Sequence, residues 1–144
     1  MIRKITAEDR ETIVEMMKDF YSSDVVLAPV PPKNFEKTVD ECLKSDVYAD
    51  LFVAEVDGVI AGYALTAKTF SNEAGGMVTW IEELYVSPKM RGHNIGHEML
   101  SFLLKIDCAR FRLETEEDNY RAVKLYKSFG FIPFGYDQMI LEGK

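Results

Sequence analysis

The sequence contains little cysteine, histidine or tryptophan, and it has no long apolar run. Its 144 residues include two cysteines, two histidines and one tryptophan. Cys42 and Cys108 lie far apart and match no metal-binding spacing, so we expect two reduced, packed thiols. No stretch approaches the length of a membrane-spanning helix, and the first residues lack the apolar segment of a signal peptide. We therefore expect a cytoplasmic protein with no membrane contact.

Positive charge is also scarce. The chain has 17 Lys and Arg against 24 Asp and Glu, a formal net charge of −7. A nucleic-acid surface requires clustered basic residues, so we expect no nucleic-acid partner. This balance fits neutral or cationic small molecules better. The length suits one domain with a real core, and no linker or repeat divides it, which predicts a single domain over residues 1–144.

Hydrophobic periodicity predicts a mixed α/β chain. Four helices are predicted. The first covers 7–22, with Thr6 and Asp9 in a capping box, and the second covers 34–45. The third begins at Ile95 and its apolar stripe reaches Ile106, and the fourth runs from Asp118 or Asn119 to Gly130. The predicted strands cover 2–5, 51–56, 59–70, 77–86, 111–115, 131–134 and 136–141. Asp57-Gly58 indicates a tight hairpin, and strands joined by helices should pair in parallel.

One stretch combines two acids with a tight turn. Glu82 and Glu83 interrupt an apolar strand, Pro88 ends that strand, and the turn 91–96 leads into a helix at about Ile95. Backbone N–H groups at such a helix start form an anion site, for which phosphate is the usual ligand. The alternative is a plain connection made of flexible residues. His93 and His97 have i, i+4 spacing, but no third ligand is apparent and no metal site is expected.

Two motifs carry a specific resemblance. The run from Glu83 to Leu100, Glu-Leu-Tyr-Val-x-Pro-x-x-Arg-Gly-x-x-Ile-Gly-x-x-x-Leu, resembles the acetyl-CoA-binding segment of GNAT-type N-acetyltransferases. The run Asn119-x-x-Ala-x-x-Leu-Tyr-x-x-x-Gly-Phe131 is similar to the family's second signature. Asn94 replaces the first glycine of the turn pattern, but asparagine tolerates the left-handed conformation, so cofactor binding should survive.

The resemblance implies a GNAT-like central sheet with antiparallel N-terminal strands, parallel pairing at the central strands and about four flanking helices. It also implies an acetyl-CoA site. Leu84, Tyr85 and Val86 would pair with the pantetheine arm as an added strand, and Asn119 would contact the same arm. The pyrophosphate would lie against a turn that consists of Arg91, Gly92, His93, Asn94, Ile95, Gly96 and His97.

An amine attacks a thioester only in its neutral form, so a base must remove a proton. Glu82 is the candidate base, because in a regular strand it alternates with Trp80 and Leu84 on an apolar face that would raise its pKa. Glu83 is the reserve, and a salt bridge or a strand bulge is the structural alternative. Tyr126 matches the family tyrosine near the sulfur and is the candidate acid; its alternative is a core position on its helix.

We therefore expect direct acetyl transfer from acetyl-CoA to a small-molecule amine, such as a polyamine or another primary amine, through a ternary complex. No cysteine lies in either signature, which disfavours a covalent enzyme intermediate. Two alternatives stay open: an acetyltransferase of proteins or peptides, and a non-catalytic acyl-CoA-binding regulatory module. A homodimer is an expectation of the resemblance alone.

Overall fold

The structure, a computed structural model, describes residues 1–22 and 29–143. Its five strands are β1 (Ile2–Lys4), β2 (Ala49–Val56), β3 (Val59–Ser71), β4 (Gly76–Val86) and β5 (Arg110–Leu113). Its four helices are α1 (Arg10–Tyr21), α2 (Pro32–Lys44), α3 (Ile95–Leu103) and α4 (Tyr120–Ser128). This mixed α/β content confirms the predicted fold class.

The strands form a single sheet in the order β1-β2-β3-β4-β5. The pairs from β1 to β4 are antiparallel, and β4 pairs with β5 in parallel. Asp57 and Gly58 link β2 to β3 with φ values of 50° and 78°, the positive values that a tight hairpin turn requires. Both the antiparallel meander and the parallel pair agree with the sequence prediction.

The sheet is covered on both faces because its central strands are apolar on both. On one face, α1 and α2 pack through Ile13, Met17 and Val39 against residues of β2 and β3 that include Leu51 and Tyr63. On the other face lies α3, where Phe102 meets Phe52 of β2 edge to face at 5.3 Å between ring centroids. Met99, Leu100 and Leu103 of α3 are fully buried. The resulting core holds the strands in register.

The chain before α1 has the predicted capping box, but the α-helix begins three residues later than predicted. Residues Ala7–Asp9 form a 3₁₀ turn, and the α-helix itself begins at Arg10. The backbone N–H of Thr6 donates to the Asp9 carboxylate at 2.8 Å, which is the reciprocal bond of a capping box.

Two sequence predictions were wrong in extent. Helix α3 ends at Leu103, and the N–H groups of Lys105 and Ile106 donate to the carbonyls of Phe102 and Leu103 in tight turns, so the helix excludes Ile106. Residues 131–143 contain no strand, although 131–134 and 136–141 were predicted as strands. A strand is stable only when its backbone pairs with a neighbour, and alternation of apolar residues does not supply one.

The described chain divides into two compact units, Met1–Glu114 and Thr115–Lys144. The first contains the sheet, α1, α2 and α3, and the second contains α4 and the extended residues that follow it. The prediction of one domain over residues 1–144 stays a prediction.

Candidate active site

A β-bulge interrupts β4 at Glu82. Leu65 of β3 pairs with Glu83 and the next residue, Thr66, pairs with Ile81, so Glu82 is the extra residue on β4. A bulge bends its strand and redirects the side chains around it, and bulges are common beside active sites. The strand bulge that the sequence left open as an alternative is therefore present, and it shifts the pairing register at one position.

The same residue marks the place where β4 stops pairing with β5. The parallel ladder joins Val78–Ile81 to Arg110–Leu113 and ends there. Strand β4 continues for five more residues, from Glu82 to Val86, beyond its last pair with β5. In the described part of the chain this stretch pairs only with β3, so its opposite edge offers backbone donors and acceptors to an extended ligand.

A tight turn connects this open strand edge to α3. Gly92 has φ 86° and Asn94 has φ 64° and ψ 16°, the left-handed conformation expected of a residue at the glycine position. Arg91 braces the turn by donating from Nε to the Val86 carbonyl at 3.2 Å. Helix α3 starts at Ile95 as predicted, and the N–H groups of its first turn have no acceptor within the helix.

The turn is open to solvent, so a ligand can reach it. Arg91, Gly92, His93, Asn94 and His97 are all exposed. The N-terminus of a helix carries a partial positive charge that is satisfied by anions such as phosphate. Leu84–Val86 and the turn with the start of α3, residues 91–97, follow one another along the chain. Together they contain ten of the eleven cofactor-binding residues named from the sequence.

Glu82 lies at the bulge and is exposed, whereas Ile81 and Glu83 on either side of it are buried. The pKa of Glu82 is raised above its ordinary value, first by desolvation and then by the negative charges of Glu114 and Glu83. An accessible carboxylate with a raised pKa has the properties of a general base.

Glu83, the reserve candidate, is buried and fully engaged. It is 8% exposed, and it accepts hydrogen bonds from Tyr63 Oη at 2.6 Å and Tyr21 Oη at 2.7 Å. Burial raises the pKa of Glu83, while both tyrosine hydrogen bonds oppose that shift. Because both carboxylate oxygens are occupied within the protein, Glu83 is a poor candidate for direct contact with an amine.

Tyr85 connects the open strand to α1. Its hydroxyl donates to Asp19 at 3.0 Å and its ring stacks on Tyr63 at 5.6 Å between centroids. Burial, together with the hydrogen bond to Asp19, raises the pKa of Tyr85 to about 12, so the hydroxyl keeps its proton at neutral pH. These contacts fix the backbone of β4 where it faces the open edge.

An acidic groove runs along α1 beside this strand. Its volume is about 550 Å³, and Tyr85 and Ser87 form its β4 side. Four carboxylates form the other side: Glu8 in the 3₁₀ turn before α1, and Glu11, Glu15 and Asp19, whose spacing of four residues places them on one face of α1. The groove therefore presents several negative charges next to the end of β4.

The two remaining predicted site residues lie in the second unit. Asn119 precedes α4, and its carbonyl accepts from Val123 at 3.0 Å while its side chain makes no capping bond. Tyr126 is half-buried on α4 and meets Phe131 edge to face at 6.0 Å. Burial raises the pKa of Tyr126, so the phenol carries its proton at neutral pH.

No group of three or more His, Cys, Asp or Glu side chains within residues 1–22 and 29–143 is arranged to hold a metal ion. His93 contacts the Met90 carbonyl through Nδ1 at 3.2 Å. Over the same described ranges, no helix has the length and apolarity needed to cross a bilayer.

Comparison with known proteins agrees with this geometry. Residues 11–131 match the acetyltransferase (GNAT) family, a span that includes both signature runs. The chain belongs to this family. It is an acetyl-CoA-dependent N-acetyltransferase, and the resemblance seen in the sequence is thereby confirmed.

Named members of the family show how the chain relates to them. It is 26% identical to the thialysine N-ε-acetyltransferase of Mus musculus, over 90% of this chain and 82% of that protein. It is 29% identical to the spermine/spermidine N(1)-acetyltransferase of Bacillus subtilis, over 49% of each chain. Its fold matches the aminoglycoside N-acetyltransferase AAC(6')-Iy, solved with CoA, with a TM-score of 0.75 at 19% identity over 100% of this chain and 93% of that one.

The residues present fit the cosubstrate of a GNAT enzyme. The open edge of β4 suits the amide-containing pantetheine arm, and the exposed helix start at Ile95 suits a pyrophosphate. Glycine and asparagine are among the residues that best tolerate the φ of 64° at position 94. The assignment of single residues to these contacts stays a prediction.

Several residues that contribute to the site were not predicted from the sequence. Gly62 of β3 lies against Tyr85, and its signal was available, since a lone glycine inside a strand often marks close backbone approach. Tyr21 and Tyr63 donate to Glu83 from positions 62 and 20 residues away in sequence. No local pattern identifies such pairs.

Proposed function

We propose that this acetyltransferase transfers the acetyl group of acetyl-CoA directly to a primary amine of a small, cationic molecule. The acceptor would bind while acetyl-CoA is present, and its nitrogen would attack the thioester without a covalent enzyme intermediate. The observation that carries the choice of acceptor is the groove of Glu8, Glu11, Glu15 and Asp19 beside the open end of β4. Several carboxylates in a row complement a molecule with more than one ammonium group.

Named relatives support the same class of acceptor. Thialysine and the polyamines spermine and spermidine, which appear in the names of related enzymes, all carry primary amines that are protonated at neutral pH. An acidic groove would attract each of them. The formal net charge of −7 acts in the same direction at longer range.

In the proposed mechanism Glu82 accepts a proton from the ammonium group, directly or through one water molecule. The neutral nitrogen then attacks the thioester carbonyl carbon, and a backbone N–H on the open edge of β4 stabilises the negative charge that develops on oxygen. The C–S bond breaks as the amide C–N bond is completed. Tyr126 donates its proton to the departing thiolate. The nitrogen of the new amide gives up its second proton, Tyr126 is reprotonated, and Glu82 releases its proton to solvent, so the products are an N-acetylated amine, CoA and one proton.

The state of Cys42 supports direct transfer over a thioester intermediate on the enzyme. Cys42 is half-buried on α2, and its surroundings include Leu43, Leu51 and Asp50. Burial, with the nearby charges of Asp50 and Glu41, raises the pKa of the Cys42 thiol to about 12. A thiol with that pKa is almost fully protonated at pH 7 and is a weak nucleophile.

The test is release of free thiol from acetyl-CoA, measured with thialysine, lysine, spermidine, spermine, an aminoglycoside and a short peptide as acceptors. We expect release with one or more small amines and little with the peptide. Preference for the peptide would favour a protein acetyltransferase. Tight CoA binding without release by any amine would favour a non-catalytic module.

Variants test the two catalytic roles in the same assay. Glu82→Gln should lower kcat by about 10²–10⁴-fold, the usual contribution of a general base, while CoA affinity is kept. Tyr126→Phe should lower kcat without raising the KM for acetyl-CoA. Matched controls are Glu36→Gln on α2 and Tyr120→Phe on α4, which change exposed side chains and should leave kcat unchanged. Wild-type kcat in Glu82→Gln would overturn the role of that residue.

A further inference from the structure

The C-terminal segment, residues 131–141, exposes a large amount of apolar surface. It follows α4 and forms neither a helix nor a strand. Six large apolar side chains within it are between 48% and 96% exposed: Ile132, Phe134, Tyr136, Met139, Ile140 and Leu141. Single exposed apolar residues are ordinary, but a contiguous group of them marks an interaction surface.

The second half of this segment has the composition of a β-strand. Residues 136–141 contain neither proline nor glycine, whereas Pro133, which has no N–H to donate, lies outside them. The rings of Phe134 and Tyr136, two residues apart, meet at 5.0 Å between centroids, so they lie on the same side of the chain as alternate residues of an extended strand do. An extended apolar stretch of this kind readily pairs with the strand of another chain.

The beginning of the segment is held by α4. The Phe131 N–H donates to the Tyr126 carbonyl at 3.2 Å, and the two rings meet edge to face at 6.0 Å. Gly130, with φ 95°, makes the turn between the helix and the segment. The segment therefore leaves α4 in a defined direction, and a defined direction reduces the entropy that is lost on binding.

A second copy of the chain offers the strand edge that the segment lacks. Among the strands that the structure describes, β1 pairs only with β2 and β5 pairs only with β4, so the sheet has an outer edge at each end. Strand β5 is the longer of the two end strands, and it is half-buried along its length. Addition of an extended segment to such an edge is a common mode of association between chains.

The area involved is sufficient for a stable dimer. Burying one large apolar side chain removes roughly 60–120 Å² from water, so the six supply roughly 400–700 Å² per chain. In a two-fold contact both segments are buried, and together with the surfaces that they cover they exceed the roughly 1,000 Å² of a specific interface. A contact with an unrelated protein would bury one segment only.

The charge of the segment also favours a second copy. Asp137 is its one charged residue, so two copies can approach here with little repulsion despite the net charge of −7. The segment has no Lys or Arg, and an acidic chain is not attracted to the anionic surface of a membrane. These features favour a protein partner of the same sequence over a lipid surface.

We propose that residues 136–141 of each chain add as an edge strand to β5 of a second copy, in a reciprocal two-fold contact that forms a homodimer. The backbone of the segment then pairs with the outer edge of β5, and its exposed apolar side chains are covered. This inference is independent of the proposed acceptor and of the proposed catalytic groups.

The first test is sedimentation velocity of the full chain over a range of concentrations. Wild type should change from one chain to two as the concentration rises. Ile140→Asp should raise the Kd of the dimer at least about tenfold, because a carboxylate would be buried in the contact. Val47→Asp, which makes the same change at an exposed position outside the segment, should dimerise like wild type. A single chain at every concentration, or a dimer unchanged by Ile140→Asp, would overturn the proposal.

Two proline variants test the backbone hydrogen bonds. Successive N–H groups of an extended strand point to opposite sides, so either Met139 or Ile140 directs its N–H towards β5 of the partner. Met139→Pro and Ile140→Pro should therefore raise the Kd of the dimer by different amounts, with the larger effect where a donor is lost. The wild-type Kd in both variants would show that the segment does not pair as a strand.

Hydrogen exchange of the wild type requires no variant to fold. The amides of 136–141, together with those on the outer edge of Arg110–Leu113, should exchange slowly only at concentrations at which the dimer forms. Protection of 136–141 at every concentration would show pairing within one chain, and protection without a change in β5 would show a different contact. Either result contradicts the proposal.

Thiol release separates this proposal from the proposed function. A protein that stays a single chain and still acetylates small amines would overturn the dimer and leave the proposed function intact. A dimer of the proposed kind that releases no thiol with any amine would have the opposite meaning.

Discussion

Gly62 and Tyr85 lie so close together that a Cβ atom on Gly62 would overlap the Tyr85 carbonyl oxygen. The two residues belong to neighbouring strands, and Gly62 pairs with Val86, the residue after Tyr85. Glycine is thus required at position 62, because a side chain there would displace the backbone of β4 along its open edge. The backbone of Tyr85 is one of the proposed partners of the pantetheine arm.

Gly62→Ala should therefore weaken CoA binding. The added methyl group would push the Tyr85 carbonyl outward and displace the open edge, at a cost of about 1–3 kcal/mol in the free energy of unfolding. We expect at least a tenfold higher Kd for CoA by titration calorimetry. Gly135→Ala, whose added methyl group meets no atom within 4 Å, is the matched control. Lower stability with unchanged CoA affinity would contradict the link between Gly62 and the site.

The open edge also shows which features the sequence could predict. The turn at Asn94 and the helix start at Ile95 were predictable because left-handed residues and helix N-termini depend on local chemistry. The bulge at Glu82 was not, because it depends on how β3 and β4 fit over many residues. The pKa of Glu82 is raised, as expected, but neighbouring acids contribute to this shift together with burial.

In the last residues of the chain, the sequence predicted strands that the structure does not contain. Residues 131–141 alternate in the way a strand does, but residues 131–143 have no strand, and Ile132, Met139, Ile140 and Leu141 are more than 80% exposed. Sequence alternation reports which side chains could be buried together. It does not report whether another backbone lies alongside to accept the hydrogen bonds.

The acidic groove should contribute mainly to binding of the acceptor. Glu11→Gln combined with Glu15→Gln removes two charges from the α1 side of the groove, and Glu15 also pairs with Lys18 at 2.8 Å. We expect a higher KM for spermidine or spermine, little change in the KM for acetyl-CoA, and a smaller effect at high salt. Steady-state kinetics at 0.05 and 0.5 M salt measure all three. Replacing the exposed Glu36 and Glu142 in the same way is a control for net charge.

Because of the ion pair between Arg3 and Asp9, the free energy of unfolding should depend on pH in the acidic range. Arg3 contacts both oxygens of Asp9 at 2.7 and 3.1 Å, and these bonds, assisted by the Thr6 N–H, lower the pKa of the 6% exposed Asp9. A lowered pKa in the folded state means that this contribution is complete above the unfolded value of about 3.9 and is lost as pH falls through the folded value. Asp9→Asn should cost about 1–3 kcal/mol at pH 7.

The measurement is urea unfolding of wild type and Asp9→Asn between pH 7 and pH 2.5. The difference in the free energy of unfolding should be constant down to about pH 5 and should narrow below it. Asp107→Asn, an exposed residue in the turn after α3, should show no such narrowing. A difference that stays constant to pH 2.5 would mean that the ion pair contributes through packing and not through charge.

Asn94 offers a test of the turn that leaves the proposed catalytic groups untouched. Because its φ is 64°, Asn94→Gly should keep CoA affinity within about threefold, as glycine adopts this conformation at no steric cost. Asn94→Val should raise the Kd for CoA by about tenfold, since a β-branched residue there costs roughly 1–2 kcal/mol and will shift the N–H groups before Ile95. Calorimetric titration with CoA compares both variants. Equal CoA affinity in the glycine and valine variants would mean that the left-handed conformation at position 94 does not shape the anion site.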